Sequence, residues 1–208
     1  MPVVWTPRAV WWILRSMRRV AILGSTGSIG TSCLDVIAAL PDRLAAFALS
    51  AHSNWDRLCE QARQFQPRWV TLTDDARLRQ VDRSQLNGRA ELLDSTDRIE
   101  RIVSSADTDV VLTAIVGAAG LRGTWAALEA GKTVCVANKE TLVLAGPLVM
   151  DLSRRTGARI LPVDSEHSAV FQAMQSGRPS EVRRVLLTAS GGPFRTWDKS
   201  LAKVTIKD

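Results

Sequence analysis

Short runs of apolar and β-branched residues recur along the chain from Arg18 onward, and longer segments of helical periodicity separate them. Runs of about four to eight such residues, bounded by turn residues, predict buried strands. Six segments fit this pattern: Arg19–Leu23, Ala45–Leu49, Trp69–Thr73, Asp109–Val116, Thr133–Ala137 and Arg159–Val163. Strands that alternate with helices in this way are typical of a parallel sheet.

Two of the intervening segments carry apolar residues at clear helical spacing. The first repeats them at Ile29, Cys33, Val36, Ile37 and Leu40 before Pro41, and the second at Leu121, Trp125 and Leu128 before Gly131. Proline and glycine are common just beyond the end of a helix, so both patterns have a natural end. The sequence therefore predicts an α/β fold with a doubly wound, mostly parallel sheet, followed after about Pro162 by the start of a second α/β domain.

The composition narrows the class of protein. Of the 208 residues, 46% are hydrophobic and 23% are charged, which supports a folded core and excludes global disorder. Uncharged stretches such as Val110–Leu121 are shorter than the ~20 apolar residues of a membrane-spanning helix, so we expect no membrane partner. The three cysteines, Cys33, Cys59 and Cys135, lack CxxC spacing. They indicate neither disulfides nor a zinc site and favour a cytoplasmic protein.

Positive charge is concentrated at the N-terminus. The net charge is +6, but the first 19 residues contain four arginines and no acid, so the remaining chain carries only +2. This distribution argues against nucleic acid as a partner. Residues 1–16 fit no strand or helix, and their apolar run Val10–Leu14 is shorter than the ~7–15 residues of a signal-peptide core. We expect residues 1–16 to be a non-native or disordered extension; a basic targeting segment is the alternative.

The first chemical signal is the segment Gly24–Gly30, with the sequence GSTGSIG, between a predicted strand and a predicted helix. Glycines at such a turn let the backbone approach a pyrophosphate, and the helix N-terminus offers N–H donors and the positive end of its dipole. The arrangement favours a Rossmann-like dinucleotide site. The spacing is GxxGxxG rather than the commoner GxGxxG, so a tight turn without a ligand stays open as an alternative.

The end of the second predicted strand bears on which dinucleotide would bind. An NAD-binding fold places Asp or Glu there to hold the ribose hydroxyls. Here Ala51 is followed by His52, Ser53 and Asn54. Without a carboxylate a 2′-phosphate is not repelled, and these three side chains can donate hydrogen bonds to it, so the sequence favours NADP over NAD. A solvent-exposed loop histidine is the alternative for His52.

Two further polar segments follow predicted strands. Asn138, Lys139 and Glu140 come directly after the fifth, at the carboxyl edge where open α/β sheets bind ligands; an ordinary helix start also explains them. Asp164 and Glu166 follow the last strand, and two hard oxygen ligands on one side are half of a Mg²⁺ or Mn²⁺ site. Helix capping is the alternative for these acids, and a structural role is favoured for His167.

A fourth segment, Leu186–Arg195, predicts a strand that runs into a glycine turn. The Ser190 hydroxyl, the backbone amides of the turn and Arg195 can together bind a phosphate or another anion. A plain turn is the alternative.

Taken in order, the four segments resemble the 1-deoxy-D-xylulose 5-phosphate reductoisomerase family, from about Met17 to Arg195 and including Ala114–Leu121. The resemblance implies that the NADPH diphosphate binds at Thr26, Gly27, Ser28 and Ile29. It implies that the phosphate of the adenosine ribose lies near His52, Ser53 and Asn54. It also implies two further cofactor contacts, at Asn138 and Glu140.

The family also implies how substrate and metal are held. Substrate binding is expected at Lys139, Ser165, Glu166 and Ser190. Asp164 and Glu166 would coordinate Mg²⁺ or Mn²⁺, and the catalytic residues would be Lys139, Asp164 and Glu166. The reaction implied is a carbon-skeleton rearrangement of 1-deoxy-D-xylulose 5-phosphate, a small sugar phosphate, followed by hydride transfer from NADPH. The product would be 2-C-methyl-D-erythritol 4-phosphate, in non-mevalonate isoprenoid biosynthesis.

This assignment divides the chain into a Rossmann-like NADPH-binding domain, residues 17–161, and the incomplete start of a catalytic domain, residues 162–208. Family members form homodimers and continue through a mobile loop, a third metal carboxylate and a C-terminal helical domain. We therefore expect these 208 residues alone to bind NADPH without turnover. The alternatives are another NADP-dependent dehydrogenase, of the homoserine or aspartate-semialdehyde type, and a non-catalytic nucleotide-binding module.

Overall fold

Strands and helices alternate along the chain as the sequence pattern predicts. The computed structural model describes residues 17–86, 88, 90–187, 196 and 204–205. The predicted extension, residues 1–16, lies outside this range. The chain divides into two compact units, one ending at Leu161 and the other beginning at Pro162. The assignment of a cofactor-binding and a catalytic role to these stretches stays a prediction.

Within the described residues, seven strands and six helices come before the second unit or reach its boundary. The strands are β1 (Arg18–Leu23), β2 (Leu44–Ala51), β3 (Trp69–Leu72), β4 (Glu91–Leu92), β5 (Val110–Thr113), β6 (Thr133–Val136) and β7 (Arg159–Pro162), the last of which reaches the boundary. The helices are α1 (Ser28–Ala39), α2 (Trp55–Phe65), α3 (Asp75–Leu78), α4 (Arg98–Ser104), α5 (Gly120–Glu129) and α6 (Lys139–Thr156). A short 3₁₀ helix spans Arg83–Leu86. The second unit contains α7 (Ser165–Met174) and a 3₁₀ turn at Pro179–Glu181.

The strands form one sheet in the order β4-β3-β2-β1-β5-β6-β7. All pairings from β1 to β6 are parallel, so the predicted Rossmann-like, doubly wound α/β fold is confirmed. The chain enters at the centre: Val20 of β1 pairs with Ala46 of β2 on one side and with Val110 of β5 on the other. The direction of winding reverses between β1 and β5. The carboxyl ends of these strands form the crevice where open sheets bind ligands.

The core lies on the central strands and on the helix faces that cover them. Fully buried side chains come from every central strand and from four helices: Ile22, Leu23, Leu49, Val70, Val111, Val134, Leu58, Ile102, Leu128 and Val149. Burying each such side chain contributes about 1.5–3 kcal/mol. The core therefore fixes the strands, and with them the loops at their carboxyl ends.

Two strand predictions differ from the structure in an informative way. The strand predicted at Asp109–Val116 ends at Thr113, because the backbone beyond it leaves the sheet to meet α6, and Gly117 has a positive φ of 74°. The edge strand β4 was missed because it has two residues, too few for any alternation of apolar and polar positions.

Two further features concern α6 and the cysteines. Helix α6 bends at Ala145, whose φ is −139°, two residues before Pro147; proline in a helix removes a hydrogen bond and clashes with the preceding turn. The three cysteines are free. Burial raises the pKa of Cys33 to about 11, with a smaller contribution from Cys135. Among the described helices, none has the length and apolar character needed to cross a bilayer.

Candidate functional site

Two of the three glycines in the turn after β1 are required by the packing of the turn itself. Gly24 has a φ of +91°, which L-residues rarely adopt, and a Cβ there would lie 2.7 Å from the carbonyl oxygen of Ala114. A Cβ on Gly30 would collide with the carbonyl oxygen of Gly24 and lie 2.5 Å from Cα of Ser25. The turn therefore folds closely onto β5 and onto the start of α1.

The packing of the turn does not require a glycine at the third position, Gly27. Its backbone is extended, with φ −78° and ψ 172°, and a Cβ there would lie 3.5 Å from the carbonyl oxygen of Gly24, an ordinary contact. Gly27, Ser28 and Ile29 are exposed, and no side chain in the described part of the chain caps α1. The first N–H groups of a helix have no partner within the helix. The start of α1 thus offers N–H donors and a positive dipole end beside a position without a side chain, which is a cradle for an anion.

A buried polar pair holds this turn against α2. The backbone N–H groups of Gly24 and Ser25 donate to the carbonyl oxygen of Ser50, at 3.0 and 2.7 Å. The Ser25 hydroxyl donates to Oε1 of Gln61 at 2.7 Å, and Nε2 of Gln61 donates to the carbonyl oxygen of Ser25 at 2.9 Å. Sequence reasoning missed Gln61. The available signal was a glutamine on the buried face of α2, between Cys59 and Ala62.

The loop after β2 places its polar side chains at the same edge of the sheet. His52, Ser53 and Asn54 are exposed. Asn54 caps α2, since its side-chain oxygen accepts the N–H of Arg57 at 3.2 Å. Nδ1 of His52 lies 3.0 Å from Oγ1 of Thr73. The sequence analysis did not single out Thr73, which follows β3.

The start of α6 is tied to the loop after β5 through Asn138. The buried Asn138 accepts the N–H of Thr141 at 3.1 Å, and its Nδ2 donates to the carbonyl oxygens of Ile115 and Gly117, the latter at 2.7 Å. A Cβ on Gly120 would collide with this amide. The amide of Asn138 is thus occupied within the protein, so the cofactor contact predicted for it stays a prediction. Lys139 is exposed and Glu140 half-buried in the first turn of α6.

A cavity of about 460 Å³ opens at the ends of β3 and β5. Its lining includes Thr73, Asp75, Arg98, Ile115, Ala118 and Arg122. Such a volume falls within the range of about 300–1,000 Å³ typical of small-molecule sites. Arg98 is buried and donates to the carbonyl oxygen of Leu72 at 2.8 Å and to Asp75. Sequence reasoning missed this cavity because its lining residues are widely separated along the chain.

The structure brings three of the predicted segments together. Thr26–Ile29, His52–Asn54 and Asn138–Glu140 follow β1, β2 and β6, whose carboxyl ends lie at one edge of the parallel sheet. This edge can bind an extended anionic ligand that itself carries an aromatic group. The predicted metal ligands Asp164 and Glu166 belong to the second unit.

In the second unit, the two predicted metal carboxylates lie at the start of α7. Asp164 precedes the helix and Glu166 is in its first turn, so the two acids flank a helix start and do not continue a strand. Oδ1 of Asp164 is 3.1 Å from Nδ1 of His167, and the Ser165 hydroxyl donates to Oε2 of Glu166 at 2.6 Å. Carboxylate oxygens are the ligands that Mg²⁺ and Mn²⁺ prefer, so this pair fits half of such a site.

Other predicted parts of this unit are described less completely. Within the described ranges, no group of three or more His, Cys, Asp or Glu side chains is arranged to hold a metal ion. Leu186 and Leu187 form no strand. Ser190 and the predicted glycine turn lie outside the described residues.

Comparison with known proteins identifies close relatives. The family model of 1-deoxy-D-xylulose 5-phosphate reductoisomerase matches residues 20–146, and that of its C-terminal domain matches residues 160–208. A relative of this name from Geotalea uraniireducens is 48% identical over 194 residues, covering 92% of this chain and 50% of the relative. The chain spans about half the length of the curated relatives it matches.

Solved structures of similar proteins agree with the sequence match. The 1-deoxy-D-xylulose 5-phosphate reductoisomerase from Zymomonas mobilis in complex with NADPH has a TM-score of 0.79 and 40% identity, covering 88% of this chain and 48% of that one. A DOX-P reductoisomerase in complex with NADPH, fosmidomycin and magnesium has a TM-score of 0.69 and 42% identity, covering 75% and 38%. The resemblance drawn from the four sequence segments is thereby confirmed.

Proposed function

Because this chain belongs to the 1-deoxy-D-xylulose 5-phosphate reductoisomerase family, we propose that it binds NADPH and takes part in converting 1-deoxy-D-xylulose 5-phosphate to 2-C-methyl-D-erythritol 4-phosphate. The family is one of oxidoreductases, and this membership disfavours the alternative of a homoserine-type dehydrogenase. The observation that carries the proposal is the open cradle at Gly27. It lies at the switch point of the sheet, where a dinucleotide is expected.

The residues at the carboxyl edge fit the parts of NADPH. The diphosphate binds at Thr26, Gly27, Ser28 and Ile29, where no side chain of the described residues caps the helix and no acid lies in its first turn. The N–H of Gly27 already donates to the carbonyl oxygen of Gly24 at 3.2 Å, so this residue contributes close approach and its neighbours contribute the free donors. Donors for the 2′-phosphate come from His52, Ser53 and Asn54. The adenine is accommodated by the cavity beside Ile115 and Ala118, whose apolar side chains suit a flat heteroaromatic ring. Asn138 holds the adjacent loop, and Glu140 contacts the cofactor from α6.

The second unit supplies the metal ligands. Asp164 and Glu166 each offer carboxylate oxygens for Mg²⁺ or Mn²⁺, and Ser165, Ser190 and Lys139 bind the sugar phosphate. NADPH supplies a hydride, and the metal supplies Lewis-acid polarisation of the substrate oxygens. The Ser165 hydroxyl orients Glu166 through the 2.6 Å hydrogen bond, and His167 does the same for Asp164 at 3.1 Å. Such neighbours fix the direction of a ligating carboxylate.

The activity is tested in a hybrid protein, in which the 208-residue chain replaces the matching half of the Geotalea uraniireducens relative. NADPH absorbance is followed with 1-deoxy-D-xylulose 5-phosphate and excess Mg²⁺ or Mn²⁺, and the product is identified by mass spectrometry. We expect substrate-dependent NADPH oxidation that is lost in Asp164→Asn and Glu166→Gln, while both variants keep NADPH affinity. A folded hybrid that binds NADPH and forms no product would contradict the proposed reaction.

The binding step is tested directly on the 208-residue chain by fluorescence titration with NADPH and NADH. We expect NADPH to bind more tightly than NADH, because no carboxylate lies at the end of β2 to repel the 2′-phosphate. Equal or tighter NADH binding would refute this preference.

A further inference from the structure

We propose that Thr73 is a positioning residue, which holds the imidazole of His52 so that its Nε2–H is available to the 2′-phosphate of NADPH. The inference rests on the proposed function and goes one step further, since it assigns the discrimination between NADPH and NADH to a pair of residues from two different strand ends.

The loop after β2 is fixed to the end of β3 by three hydrogen bonds. The N–H of Thr73 donates to the carbonyl oxygen of Ala51 at 2.9 Å, and the N–H of Asp74 donates to that of His52 at 3.1 Å. These two bonds continue the parallel pairing beyond the strands. The third joins the side chains, with Nδ1 of His52 at 3.0 Å from Oγ1 of Thr73. Backbone and ring of His52 are therefore both held by the same short segment.

The chemistry of the hydroxyl suits this task. A neutral imidazole carries a proton on one nitrogen and a lone pair on the other, whereas a hydroxyl can donate or accept. When the Thr73 hydroxyl donates to Nδ1, the proton of the neutral ring lies on Nε2. When the ring is protonated, the hydroxyl accepts from Nδ1 and Nε2 keeps its proton. In both of these states the nitrogen away from Thr73 is a hydrogen-bond donor, which is what a phosphate oxygen requires. The remaining arrangement, a neutral ring with its proton on Nδ1, leaves a lone pair on Nε2, which a phosphate oxygen at that position disfavours.

The neighbouring acid Asp74 has one of its carboxylate oxygens occupied by α3. Asp74 interacts electrostatically with His52, and its pKa is lowered chiefly by the backbone N–H of Arg77. Oδ1 of Asp74 accepts the N–H groups of Ala76 and Arg77, at 2.9 and 3.0 Å, so the carboxylate is engaged by α3.

The test compares Thr73→Val with Thr73→Ser in the full 208-residue chain. Valine keeps the shape of threonine and removes the hydroxyl, whereas serine retains it. Thr73 also lines the cavity proposed for the adenine, so the decisive quantity is the ratio of NADPH affinity to NADH affinity. This ratio should fall roughly three- to tenfold in Thr73→Val and stay near its wild-type value in Thr73→Ser. A merely structural role would lower both affinities together and would overturn the inference.

A double-mutant cycle checks that Thr73 acts through His52. In a His52→Ala background, Thr73→Val should leave the ratio of NADPH affinity to NADH affinity unchanged; a further fall in this ratio would contradict the inference. Absence of NADPH binding by the wild-type chain would overturn the proposed function as well, so the two failures are distinguishable.

A spectroscopic measurement does not depend on any variant of Thr73. The chain has two histidines, so His52→Gln assigns the ¹⁵N resonances of the His52 ring. The wild-type protein with bound NADPH should show a protonated Nε2 at pH 8. A proton on Nδ1 with a bare Nε2 would refute the arrangement.

Discussion

Gly27→Ala separates the role of the turn in binding from its role in folding. The Cβ added at this position meets one atom, at 3.5 Å, and the backbone is in an extended conformation that alanine adopts freely. Alanine is a poorer N-cap than glycine by about 1 kcal/mol. It also restricts the unfolded chain, which offsets about 0.4–1 kcal/mol of that cost. We therefore expect the free energy of unfolding to change by less than about 1 kcal/mol.

The expected effect on NADPH affinity is larger. If the diphosphate lies on this turn, an added methyl group at the N-cap takes up space next to the N–H donors of α1, so one hydrogen bond to the diphosphate should be lost or lengthened. A hydrogen bond to a charged group contributes about 1.5–3 kcal/mol. Since 1.4 kcal/mol corresponds to a factor of ten, the Kd for NADPH should rise about ten- to hundredfold.

Fluorescence titration measures the affinity, and urea unfolding measures the stability of the same samples. Gly146→Ala is the matched control, because a Cβ at this helical position of α6 meets nothing within 4 Å. It should bind NADPH as the wild type does. If Gly27→Ala bound NADPH with wild-type affinity, the diphosphate would not lie on this turn and the reasoning from the open cradle would be refuted.

The remaining predictions concern stability and are measured by urea unfolding. Gly30→Ala should destabilise the fold by about 2–3 kcal/mol, because its Cβ collides with the backbone of the turn; stability equal to that of Gly27→Ala would contradict this. Gln61→Leu should cost about 1–3 kcal/mol, since the buried Ser25 loses both of its hydrogen bonds with the Gln61 side chain; an unchanged midpoint would show that these two bonds are dispensable. Burial raises the pKa of Cys33 from 9.0 to about 11, so the neutral thiol adds at most about 3 kcal/mol to the free energy of unfolding. This addition is complete below pH 9 and is lost as the pH rises to 11. Cys33→Ala should show a smaller loss of stability over this range than the wild type, and parallel losses would refute the assignment.

The sequence was sufficient to predict the sheet because burial repeats over several residues in each strand. The six strands predicted between Arg19 and Val163 are present with ends that shift by a few residues, and the helix predicted before Pro41 is α1. The strand predicted from Leu186 is not formed at Leu186 and Leu187, the two of its residues that the structure describes. The end of β5 at Thr113 could not be predicted from the neighbouring residues, because the loop that follows is held by hydrogen bonds from Asn138, more than twenty residues later. Contacts of this range leave no local pattern.

Only some features of the candidate site could likewise be predicted from the sequence. The glycine turn can be predicted from the strand and the helix that flank it in the sequence. The different roles of Gly27 and Gly30 cannot, because they depend on distances to other backbone atoms. The contact of His52 with Thr73 joins two loops 21 residues apart. It depends on β2 and β3 being neighbours, which the sequence alone does not establish.

The central position of β1 also affects how the chain folds during synthesis. One edge of β1 is covered once β2 has formed, but the other waits for β5, since Val20 pairs with Val110. At about 5–20 residues per second, a ribosome needs about 5–18 s to make the intervening residues. During that interval the central strand of the finished sheet keeps a row of unpaired backbone groups. A nascent chain that stops between these two points would therefore expose this edge of β1 to other chains, whereas one that includes β5 covers it.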